Sequence, residues 1–69
     1  MAHQSLEELD QRIAIVRDNI RELTEQAASI SGAEDESRAA DRIADQERQL
    51  AELLDERARL IDSARSSRT

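Results

Sequence analysis

From Leu6 to Ile30 the apolar residues fall at Leu6, Leu9, Ile13, Val16, Ile20, Leu23, Ala27 and Ile30. The gaps alternate three, four, three, four without a break. That spacing is a heptad seam, with Leu6, Ile13, Ile20 and Ala27 at a and Leu9, Val16, Leu23 and Ile30 at d. Such a seam lines one side of a helix, and another helix has to cover it.

What covers it is constrained by size and composition. The chain has 69 residues and reads as one domain, 1–69. A core this small is marginal without a staple, and the chain contains no Cys, so no disulfide supplies one. It has no Pro, no aromatic residue and a single Gly, and it is rich in Ala, Leu, Ile, Glu, Asp, Arg and Gln, a helical composition. Oligomerisation remains as the way to enlarge the core.

Local signals divide the chain into two helices. Ser5 and Glu8 are spaced as a capping box, and Glu7, Glu8 and Asp10 set negative charge at the positive end of the helix dipole. Glu8–Arg12 and Asp18–Arg21 are expected as surface ion pairs. Gly32 follows the end of the seam, where a left-handed C-terminal cap would sit, and Glu34, Asp35 and Glu36 supply acids to the start of a second helix. The expected architecture is all-α: an antiparallel hairpin with one helix at about 5–31, a turn at about 31–34 and a second helix at about 34–65. Residues 1–4 and 66–69 are expected to fray.

The second helix carries two adjacent apolar seams, so its apolar face is wider than that of the first. Ala44, Ala51 and Ala58 recur every seven residues, and small residues in line admit a close neighbouring backbone. One hairpin cannot cover both faces, whereas two hairpins close a four-helix bundle, so a homodimer is expected. One seam of the second helix reads Ala40, Ile43, Glu47, Leu50, Leu54, Arg57, Ile61, Ala64, and its residue types match when read backwards. If it packs antiparallel on its own copy near Glu52, Ile43 meets Ile61, Leu50 meets Leu54, and Glu47 meets Arg57 across the two-fold axis. Against that pairing stands the simpler reading that Glu47 and Arg57 reach water along their stems at the rim. The expected core and dimer interface comprises Leu6, Leu9, Ile13, Val16, Ile20, Leu23 and Ile30 of the first seam together with Ile43, Glu47, Leu50, Leu54, Arg57 and Ile61.

The same residues argue against chemistry. His3, the lone histidine, falls in the expected frayed tail. The acidic clusters Glu34-Asp35-Glu36 and Asp41/Asp45 lack the inward Glu-x-x-His pattern of bundle metal sites and fit solvated helix positions. No Gly-rich phosphate loop and no nucleophile with a base is present. The chain is therefore expected to be non-enzymatic, with no catalytic residue, no metal and no cofactor. The net charge of −6 repels nucleic-acid backbone and anionic membrane, and no apolar run reaches the roughly 20 residues of a membrane span. Met1-Ala2-His3-Gln4 lacks the regions of a secretory leader, so a cytoplasmic location is expected. All ten basic residues are Arg, a usage that fits a GC-rich bacterial genome. Ile15, at c beside Ala14, reads as a lone exposed aliphatic or as part of a patch for a further protein.

The expected function is protein–protein interaction by a homodimeric structural, adaptor or regulatory hairpin. The layout resembles that of the plasmid RNA-binding Rop protein, in overall arrangement alone, which implies an RNA-binding regulator as one alternative. Arg17, Arg21 and Arg48 are then the candidate contacts, if folding gathers them on one face. A second alternative, similar in size and layout to small secretion chaperones, is a hairpin whose partner is a different helical chain.

Overall fold

The computed structural model describes residues 5–29 and 32–66, the side chains of 33–35 excepted. Two helices, α1 (Leu6–Ala28) and α2 (Ala33–Ser66), pack against each other as an antiparallel hairpin. At about 1.5 Å per residue, α1 is roughly 35 Å long and α2 roughly 51 Å, so α2 runs past α1. The molecule measures 56 × 20 × 15 Å, and its radius of gyration is 16.1 Å. A compact chain of this length would have about 11 Å. Among the described residues the fold is a two-helix rod without a second layer.

The start of α1 is built as its sequence indicates. Ser5 is the N-cap, its Oγ accepts the Glu8 N–H at 3.1 Å, and Glu8 Oε1 accepts the Ser5 N–H at 3.2 Å. That reciprocal box engages Glu8 with Ser5 instead of the expected Arg12. The Asp18–Arg21 pair forms at 2.8 Å.

The end of α1 departs from expectation. The helix closes at Ala28, short of residue 31, with Ser29 as C-cap in the αR region. Both the Ser29 N–H and its hydroxyl donate to the Gln26 carbonyl, at 3.1 and 2.9 Å. A serine hydroxyl competing for a helix carbonyl in this way tightens and ends the last turn. Gly32 does take a positive φ, +129°, but not as the C-terminal cap of α1. It stands before α2, where its carbonyl accepts the Glu36 N–H at 3.0 Å. Ile30, the last d position, and Ser31 lie outside the described residues, as do 1–4, with His3, and 67–69. Ser66, placed among the fraying residues by its sequence, is the last residue of α2.

The core is thin. Among the described residues the buried apolar side chains are Leu9, Ile13, Val16 and Ala39. Leu9 is 1% exposed and is the anchor of the packing. The rest of the α1 seam, Ile20, Leu23 and Ala27, is half-buried, and Leu6 is exposed.

Candidate interaction surface

Which residues of α2 meet α1 follows from the burial pattern. The positions removed from solvent are Ala39, Ile43, Gln46, Leu50, Leu53, Arg57 and Leu60, with Ile61 beside them. They recur at four and three, so they form one line along the helix. Ile43, Leu50, Arg57 and Ile61 belong to the interface set expected from the sequence. Glu47 and Leu54 do not join this line: both are exposed, Leu54 at 40%, on the flank one residue further round. Each stands one position after a line residue, Gln46 or Leu53, which turns it about 100° round the axis.

Gln46 interrupts the apolar line between Ile43 and Leu50. Its Oε1 is screened from solvent and, among the described residues, accepts no hydrogen bond. An unpaired buried acceptor carries a desolvation cost of about 1–3 kcal/mol.

Arg57, also in the line, has a partner. Its Nε donates to Asp10 Oδ1 at 2.6 Å, 47 residues away and on the other helix. It is the ion pair that joins the two helices among the described residues. The side chains are 39% and 52% exposed, so the pair contributes about 0.2–1 kcal/mol and serves more to fix the register. Where the sequence suggested Glu47 of a second copy opposite Arg57, the guanidinium already holds an acid of its own chain.

The hairpin presents two open sides, and they differ in chemistry. On one side Arg12 and Val16 lie beside Gln49, Glu52 and Leu53, and Asn19, Glu22, Leu23 and Gln26 lie beside Gln46. This side is dominated by amides and charges. On the other, Leu6 lies beside Ile61, Ala64 and Arg65, and the Asp10–Arg57 pair crosses between the helices. Heptad spacing adds Leu54 and Glu47 to the same flank, each seven residues from the next beginning at Ile61. Ala40, Ala51 and Ala58, all exposed, extend it. The second side is the apolar one. Ile15 lies on neither: it is 59% exposed between Gln11 and Asn19 and stands alone.

The arginines do not converge. Arg21 binds Asp18, and Arg48 lies 3.7 Å from Asp45. Arg48 is two positions from both Gln46 and Leu50, which turns it to the face of α2 away from α1 and from Arg17. Among the described residues no group of three or more His, Cys, Asp or Glu could hold a metal ion, and no helix is long and apolar enough to cross a membrane.

Sequence reasoning missed two features of this surface. The Asp10–Arg57 bond depends on the register of the two helices, which no local signal encodes. The inward Gln46 is hidden because glutamine ordinarily marks a solvated helix position. No protein-family model, curated protein or solved structure matches the chain.

Proposed function

We propose that this hairpin is a non-enzymatic protein-interaction module that completes its hydrophobic core with further helices, in the first instance those of a second copy, to form a four-helix bundle. The observation that carries the reading is the incompleteness of the core. Ile20, Leu23, Ile43, Leu50, Leu53, Leu60 and Ile61 are only half-buried, and Leu6 and Leu54 are exposed. Full burial of such a side chain stabilises by about 1.5–3 kcal/mol. The solvent exposure left on this set therefore rivals the whole net stability of a 69-residue chain, about 3–10 kcal/mol. Helices bearing apolar stripes and no pocket chemistry recognise other helices through those stripes. The amide-rich flank and the scattered arginines, of which Arg21 and Arg48 already face acids of their own helices, give nucleic acid little to hold.

Light scattering over a dilution series, with circular dichroism on the same samples, tests the reading. The expected result is a strongly helical dimer whose helix content falls as it dissociates. A poorly helical monomer at all concentrations would overturn the self-association and direct the search to a different partner chain.

A further inference from the structure

We infer that the second copy docks on the Leu54/Ile61 flank about one two-fold axis passing level with Ile13 and Glu52, stacking two alternating four-charge layers on either side of it. This rests on the reading above that the hairpin completes its core with other helices. Two patterns that arise in different helices carry it.

The first is in α2, where Ala40, Ile43, Glu47 and Leu50 are mirrored in type by Leu54, Arg57, Ile61 and Ala64 about position 52. The second is in α1. Its flank line, Leu6, Asp10, Ile13, Arg17 and Ile20, is spaced four, three, four, three and is mirrored about Ile13 to within one residue. Leu6 answers Ile20, Asp10 answers Arg17, and Ile13 answers itself. Nothing in the sequence requires the two centres to coincide in space. The fold brings them close: Arg12 and Val16 lie beside Gln49, Glu52 and Leu53, and by the Asp10–Arg57 bond Ile13 and Glu52 stand within about 3 Å of one height. A single perpendicular two-fold axis then satisfies both helices at once, with α1 antiparallel to its copy and α2 antiparallel to its copy.

The charges follow the same axis. Within one chain Asp10 and Arg57 are bonded at 2.6 Å at one level. Arg17 is seven residues from Asp10 and Glu47, on the Leu54 flank, is ten from Arg57, so the register set by the Asp10–Arg57 bond leaves these two within about 4.5 Å of one height. Among the described residues neither makes an ion pair. The two levels thus carry opposite orders of charge across the helices, minus–plus and plus–minus. Two-fold docking lays one on the other, so that each layer runs Asp10, Arg57, then Glu47 and Arg17 of the second copy, alternating around the bundle. Parallel docking would set like on like. The amide-rich side offers no such self-complementary pattern, and the exposed alanines beside Leu54 let the α2 backbones approach.

Cross-linking tests the axis. Ala51 and Ala44 are both exposed on this flank of α2, and the chain has no native Cys. About the proposed axis, Ala51 lies within about 3 Å axially of its own copy and Ala44 about 24 Å away, at 1.5 Å per residue. Under mild oxidation Ala51→Cys should give a disulfide-linked dimer and Ala44→Cys should not. A charge exchange gives a second readout. Arg17→Glu and Asp10→Arg should each weaken self-association by about tenfold or more, and an equimolar mixture should regain it, because in the mixed pair every charge contact between the two chains again sets opposite signs together. Comparable cross-linking of both cysteine variants, linking of Ala44→Cys alone, or a light-scattering dimer that Ala51→Cys fails to link would each overturn the axis while leaving the shared core standing. Loss of association that mixing does not restore would overturn the charge layers. A monomer by light scattering removes the underlying reading itself.

Discussion

Gly32 matters for its backbone. A Cβ at this position would meet nothing within 4 Å, so the only obstacle to a side chain there is the φ of +129°. Gly32→Ala should therefore destabilise by about 1–3 kcal/mol through strain alone. Urea denaturation at fixed protein concentration checks this, and a variant as stable as the parent would show that the turn rearranges freely. The residue scale is also where reading from sequence works unevenly. Ser5 and Glu8 announce the helix start because both partners of each bond are three residues apart. The role of Gly32 is not legible in the same way. Whether it ends α1 or begins α2 depends on where α1 stops, and Ser29 decides that by drawing two donors onto the Gln26 carbonyl.

The two helices differ in how clearly their faces can be read. The α1 seam is a single unambiguous line, and its buried members Leu9, Ile13 and Val16 are those the spacing indicates. On α2 the doublets Leu53-Leu54 and Leu60-Ile61 let two neighbouring lines pass as the inward one. Packing selects the line through Gln46, Leu53 and Leu60 and leaves Glu47 and Leu54 outside. The cost of that choice is the unpaired Gln46 Oε1, and it yields a prediction. Gln46→Leu removes a buried acceptor and continues the apolar line, so it should raise stability by about 1 kcal/mol or more, read as a higher urea midpoint. An unchanged or lower midpoint would mean that the amide is satisfied in the assembled protein and that Gln46 belongs to a polar contact there.

For the whole molecule, shape carries the argument. A rod with a 16.1 Å radius of gyration and four buried apolar side chains among its described residues has too little core for its surface. The Asp10–Arg57 bond sets the register within one chain, and that register brings the centres of the mirrored patterns of α1 and α2 within about 3 Å of one height. None of this could be drawn from the seams separately, because it needs the relative height of the two helices. If folding and association are one event, stability depends on chain concentration. The most direct test is the urea midpoint of the unaltered chain measured by circular dichroism over a hundredfold range of concentration. The account predicts a midpoint that climbs steadily with concentration as loss of helix and loss of the dimer coincide. A midpoint independent of concentration would contradict it, since the hairpin would then fold to its full stability alone.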